Sequence, residues 1–240
     1  MKFYFFFITV FFFNTFKNFS QERDSTFRKV TLKQLIFPTA LIGTGMIFIN
    51  NSTKAEQKEW HEKYLNSFRT HADDYLQYAP QVAVLGLDLV GVKSKHSFAD
   101  KAGVLLIGSA LMVGTTTGLK NLTHVTRPDD SGNDSFPSGH TANAFFGAAV
   151  FAEEYGDKSV WYTIGGYTAA TATGTLRMLN NRHWLSDVLV GAGIGVLSAK
   201  AAYIIYPWLK EKLGKHKPGN VAIVPIYDGR TMGGSVVVGF

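Results

Sequence analysis

Three short clusters in this chain carry residue types and spacings that can do chemistry. The first is Lys120, six residues, then Arg127-Pro128. The second is Pro137-Ser138-Gly139-His140, and the third is Arg177, five residues, His183, three residues and Asp187. His183 and Asp187 stand at i and i+4, a spacing that puts both on one face of a helix within hydrogen-bonding reach. A carboxylate on one imidazole nitrogen fixes the tautomer and leaves the other nitrogen free to attack or to take a proton. Ser138-Gly139-His140 opens an apolar segment, so its backbone N–H groups can face an anion, and Gly139 allows that anion to approach the backbone closely. Lys120, Arg127 and Arg177 add three cations, and the guanidinium fork matches phosphate geometry.

The elements that must position these residues are weakly polar segments. Residues 34–53, 102–119 and 159–176 carry no charge, 78–92 is apolar apart from Gln81 and Asp88, and 141–152 and 188–209 complete the set. All exceed strand length and are rich in Ala, Leu and Gly, which predicts an all-α bundle of about six helices. They are apolar around most of their circumference, a pattern that fits a buried core and a membrane equally. The Gly-Ala-Gly-Ile-Gly run at 191–195 predicts close helix–helix packing. Residues 55–76, with Trp60, Tyr64, Phe68 and Tyr75 among charges, read as an amphipathic helix on the bundle or on a lipid surface. Segment 102–119 ends at Lys120, 141–152 begins at His140, 159–176 ends at Arg177, and the next helix begins near His183. In an antiparallel bundle these four ends share one side, and the pocket they form suits a phosphate.

The three clusters resemble the signature of the type-2 phosphatidic acid phosphatase superfamily, which also includes bacterial non-specific acid phosphatases and vanadium haloperoxidases. The family pattern is K-x6-R-P, P-S-G-H and S-R-x5-H-x3-D. The chain matches ten of its eleven specified positions in order and spacing, with Leu176 standing where the family has Ser. The resemblance implies that His183 is the nucleophile, forming a phosphohistidine, and that Asp187 orients it. It makes His140 the general acid and then the activator of water. Lys120, Arg127, Ser138, Gly139 and Arg177 would bind the phosphoryl oxygens, and neither a metal nor another cofactor would be needed. Attack requires a neutral His183 and donation a protonated His140, so a bell-shaped pH–rate profile follows. The five remaining histidines, His61, His71, His96, His124 and His216, are read as structural, and Arg182 as a surface charge.

Composition excludes several other classes. The chain has 240 residues, no Cys and a net charge of +6. A disulfide scaffold, a thiolate metal site and a cysteine nucleophile are therefore excluded. Basic stripes interleaved with aromatics are lacking, which argues against a nucleic-acid partner. The aromatic content of 14% is swollen by the N-terminus, where nine of the 19 Phe lie between Phe3 and Phe19. Lys2, the 11-residue apolar run Phe3–Phe13 and small Ser20 read as a signal peptide over residues 1–20, with a retained anchor or a short core helix as the alternatives. Residues 21–209 form the helical domain in this reading. Residues 210–240 form a basic linker and a C-terminal β-hairpin turning at Asp228-Gly229.

The expected function is a metal-independent phosphatase of the bacterial cell envelope, its active site facing the periplasm and its substrate a lipid phosphate or pyrophosphate. Phosphatidic acid, phosphatidylglycerol phosphate, a polyprenyl pyrophosphate and the phosphate of a lipid A-type glycolipid are the candidates. A soluble periplasmic acid phosphatase, a vanadate-dependent peroxidase and a non-catalytic scaffold docking through its hairpin are the alternatives. Topology sets a constraint. If 34–53, 78–92 and 102–119 all span after signal removal, Lys120 arrives inside, whereas family members acting on envelope lipids keep the site outside. The weakest span is 78–92, with Pro80 and Asp88.

Overall fold

In the computed structural model of the chain, residues 27, 30–214, 221–227 and 232–238 are described. The first uncharged segment becomes helix α1 (Leu32–Ile47), opened by the Gln34 side chain accepting the Thr31 N–H at 3.1 Å. It ends earlier than residue 53 because Asn50 caps a new helix, its Oδ1 accepting the Thr53 N–H at 2.8 Å. That helix, α2 (Asn51–Tyr64), is bent 87° from α1. The stretch read as one amphipathic helix is two, α2 and the short α3 (Ala72–Leu76). Tyr64 and Tyr75 are exposed while His61 and Asp73 are buried, so polar contacts hold this region to the bundle.

Residues 78–92 do not make a span. They form α4 (Ala79–Gly86) and a 3-10 turn (Leu87–Val90) that Gly91 ends in the left-handed region at φ 88°. Ser97 then caps α5 (Phe98–Thr123), and α6 (Gly139–Tyr155), α7 (Val160–Leu179) and α8 (Leu185–Gly214) follow. Helix α8 continues past residue 209, so the first five residues expected as linker are helical. The strands β1 (Val221–Tyr227) and β2 (Met232–Val238) pair antiparallel, Val221 opposite Val238 and Tyr227 opposite Met232. The expected turn at Asp228-Gly229 and the expected signal peptide lie outside the described residues.

Helix α6 is the centre of the fold. Ala142, Phe146, Ala148, Val150 and Tyr155 are buried there, packed by α7, α8, α5 and α4. The glycines of α8 divide between two neighbours. A methyl added at Gly191 would lie 2.5 Å from the Ser138 carbonyl oxygen, and one at Gly195 would strike the Ala142 carbonyl. One at Gly193 would meet Pro38 O at 2.6 Å on α1. Alternate glycines therefore let α6 and α1 approach α8 from opposite sides.

At the far end of α6 from His140, buried ions are matched. Lys101 donates to Val84 O at 2.7 Å, to Asp88 and to the Tyr155 hydroxyl. Glu154 accepts from His96 Nδ1 at 2.8 Å and from the Tyr203 hydroxyl at 2.5 Å. Unpaired, these charges would oppose folding strongly.

Two helices, Phe98–Thr123 and Leu185–Leu213, are long and apolar enough to cross a membrane, and the bent α1–α2 pair is a third if it counts as one broken span. The 26 residues of α5 reach about 39 Å at 1.5 Å per residue, beyond the roughly 30 Å of a hydrocarbon core. Little of its apolar window is buried, and Phe98, Leu106, Val113 and Leu122 face outward.

Candidate active site

The fold brings four helix ends to one side. Lys120 lies in the last turn of α5, His140 in the first of α6, Arg177 in the last of α7 and Asp187 in the first of α8. The loops between them carry Arg127 and His183.

His183 is not on a helix: α8 begins at Leu185. The i, i+4 proximity nevertheless holds, with Nδ1 3.6 Å from Asp187 Oδ2. It arises because Asp187, third residue of α8, reaches back to accept the Trp184 N–H at 2.9 Å, one half of a capping box. Asp187 also accepts from the Ser135 hydroxyl at 2.5 Å. The shorter contact of His183 Nδ1 is with the Ser135 carbonyl oxygen, at 2.8 Å. A carbonyl only accepts, so Nδ1 carries the proton and Nε2 keeps its lone pair. The ring is 2% exposed, and burial pushes its pKa down to about 4. Arg177 and Lys120 push the same way, against Asp187. His183 is therefore a neutral imidazole across the physiological range.

The three cations have protein partners. Arg127 grips Asp134 with both arms, Nε to Oδ1 at 2.8 Å and Nη2 to Oδ2 at 2.9 Å. Lys120 donates to the Asp134 carbonyl oxygen. Arg177 Nη1 donates to Asp73 Oδ2 at 2.7 Å, with Asp74 Oδ1 at 3.8 Å, while its buried Nε has no partner among the described residues. The Ser138 side chain caps α6, 2.9 Å from the Thr141 hydroxyl, and its N–H donates to Asp187 O at 3.0 Å. A methyl added at Gly139 would meet no atom of the described residues within 4 Å, so the first turn of α6 has room beside it among them.

His140 Nε2 donates to Asp74 Oδ1 at 3.0 Å. Burial, and then Arg177, hold the His140 pKa below its ordinary value, while Asp74 and Asp73 act in the opposite direction. Asp73, Asp74, Asp134, Ser135 and Gln57 all touch the site, and none was singled out from the sequence. Asp134 and Ser135 had a signal, since they lie three and two residues before the second cluster. Outside the cluster of charges, Arg182 pairs with Asp129 at 3.1 Å on the rim, and His124 ends α5 in the left-handed region at φ 47°. Among the described residues, no three His, Asp or Glu side chains group as metal ligands.

Residues 101–211 match the family model of the PAP2 superfamily. This part of the chain is similar to members of that superfamily. The PAP2 stretch contains all eight residues expected at the site, whereas Gln57, Asp73 and Asp74 precede it. A lipid A 1-phosphatase of Porphyromonas gingivalis (strain ATCC 33277) is 40% identical over 154 residues, 64% of this chain. The chain spans about a third (34%) of the length of that relative. A crystal structure of a transmembrane PAP2-type phosphatidylglycerolphosphate phosphatase from Bacillus subtilis aligns over 75% of this chain and 99% of its own, with 18% identity and a TM-score of 0.45.

Proposed function

We propose that this PAP2 domain is the catalytic part of a membrane phosphatase that releases phosphate from a lipid phosphate or pyrophosphate. The observation that carries this reading is the His183 imidazole, held neutral with a free Nε2 lone pair, within the field of Arg177 and Lys120.

In the proposed reaction the Nε2 lone pair attacks phosphorus and the bond to the leaving oxygen breaks. His140 passes its proton to that oxygen. The neutral His140 then takes a proton from water, whose oxygen attacks the phosphohistidine. The P–N bond breaks, its electron pair returns to Nε2, and inorganic phosphate departs. While His183 is phosphorylated its ring is cationic, and the Ser135 carbonyl and Asp187 carboxylate stabilise it through Nδ1–H. Arg127, Arg177, Lys120 and the N–H groups at Gly139 receive the phosphoryl oxygens, with Arg127 exchanging Asp134 for the phosphoryl group.

A lipid substrate is favoured by the outward apolar faces of α5 and α8. The name of the Porphyromonas gingivalis relative makes the phosphate of a lipid A-type glycolipid the first substrate to try. The cell envelope, with the site on the periplasmic side, is the setting in which such a lipid would be met. The test is phosphate release by the purified chain in detergent from lipid A, phosphatidic acid, phosphatidylglycerol phosphate and polyprenyl pyrophosphate. Activity that disappears in His183→Ala supports the reading, and release unchanged in that variant overturns it.

A further inference from the structure

Helix α2 lies before the PAP2 stretch, and its composition gives it little apolar surface to bury. Four of its 14 residues are Lys or Glu in the run Lys54 to Glu59 alone. What holds it is a set of polar contacts, most of them directed at one loop. His61 Nε2 donates to Leu179 O at 3.1 Å, the Lys54 ammonium lies 5.5 Å from the centre of the Trp184 ring, and Lys58 pairs with Asp130 at 3.6 Å. Gln57 makes the most specific contact. Its Nε2–H donates to the His183 carbonyl at 2.9 Å and its Oε1 accepts the Leu185 N–H at 2.9 Å.

One side-chain amide thus bridges the backbone on both sides of Trp184, much as a neighbouring strand would. The Leu185 N–H is one of the donors that a helix start leaves without an intrahelical partner, and the His183 carbonyl belongs to a loop. Within the same three residues, Trp184 is fixed by its N–H to Asp187 and by its indole N–H to Thr126 O at 2.8 Å. Among the described residues, the hydrogen bond that holds the His183 ring is the one at Nδ1. The backbone that Gln57 clamps is therefore the base from which Nε2 is aimed, and misplacing a reacting atom by about 1 Å costs about 100-fold in rate.

We propose that Gln57 is a positioning residue of the phosphoryl-transfer site, holding His183 in line for attack through the backbone of residues 183 and 185. The proposal rests on His183 being the nucleophile. It assigns to α2, outside the family-matched stretch, a part in the chemistry rather than in membrane attachment. Gln57 touches no reacting atom.

The test compares Gln57→Leu, which keeps volume and loses both hydrogen bonds, with Gln57→Glu, which keeps the acceptor for Leu185 and loses the donor to His183. Turnover of short-chain phosphatidic acid is measured with inhibition by orthovanadate, which bonds to the nucleophile, and by inorganic phosphate, which does not. For Gln57→Leu the expected result is kcat lower by about 10- to 100-fold, KM within about twofold, and weaker vanadate inhibition with phosphate inhibition unchanged. Gln57→Glu should fall between Gln57→Leu and the wild type, and it carries the test alone if Gln57→Leu does not fold. Wild-type kcat and vanadate inhibition in a folded variant overturn the proposal. A loss of kcat matched by equal weakening of phosphate inhibition also overturns it, because Gln57 would then support the whole site. His183→Ala in parallel separates the two readings: full turnover in that variant removes the nucleophile assignment itself.

Discussion

His140 Nε2 stands 3.0 Å from Asp74 Oδ1, so the histidine expected to act as acid is paired with a carboxylate from a helix outside the family-matched stretch. Asp74 is held below its ordinary carboxylate pKa, chiefly by its hydrogen bond with His71 and further by His140, so it is ionised and accepts. It favours the imidazolium that burial and Arg177 disfavour. Asp74→Asn retains an acceptor and removes the charge. The alkaline limb of kcat/KM should move to lower pH, with a loss of about tenfold on the alkaline side of the wild-type limb and little change on its acid side. A limb that stays in place would show that Asp74 does not set the protonation of His140.

The wild-type profile follows from both histidines. His183 must be neutral, and its pKa of about 4 means that activity rises as pH passes upward through that value. His140 must be protonated, and its pKa lies below 6.5, so activity falls as pH rises through it. The two limbs predict a bell in kcat/KM with its maximum between about pH 4 and 6.5, read from initial rates of phosphate release. A maximum at pH 8 would contradict the assignment of acid and nucleophile.

The site was legible where spacing is local. Lys120, His140, Arg177 and Asp187 sit at four helix ends because antiparallel helices return to the same side, and cluster order alone fixes that. His183 and Asp187 are close as expected, although the cause is the cap of α8 rather than a shared helical face. Asp73, Asp74 and Gln57 reach partners 66 to 128 residues away, from a polar stretch with no apolar period to mark its inward face. The break after Ile47 did have a local signal, the capping residue Asn50, which an unbroken uncharged run concealed. Residues 78–92 fail as a span because Gly86 and Gly91 bound a 3-10 turn instead of continuing the helix.

Helix packing behind the site gives a prediction about glycine. A methyl at Gly191 would press on the Ser138 carbonyl at 2.5 Å, displacing the first turn of α6 on which His140 rides. Gly191→Ala should lower stability by about 1–3 kcal/mol and reduce kcat. Gly165, on α7, has nothing within 4 Å of an added methyl. Gly165→Ala should raise stability by about 0.5–1 kcal/mol through helix propensity and leave kcat unchanged. Thermal unfolding in detergent, paired with turnover at 25 °C, distinguishes the two. Equal melting temperatures would show that α6 and α8 are less tightly apposed than the carbonyl contact requires.

Arg127 supplies the last prediction. Its fork is filled by Asp134, which that contact holds below its ordinary pKa and so keeps ionised through the expected working range. A phosphoryl group presents the same paired oxygens, so it must displace the carboxylate to reach the fork. The Asp134 backbone carbonyl also receives Lys120, and a side-chain change leaves that contact in place. Asp134→Asn should therefore tighten inhibition by inorganic phosphate, by about three- to tenfold, because a neutral amide competes less well for guanidinium. Arg127→Ala should weaken it by at least the same factor. If Asp134→Asn instead weakens phosphate inhibition, the carboxylate serves to orient Arg127 for the phosphoryl group rather than to compete with it, and the exchange drawn in the proposed reaction fails.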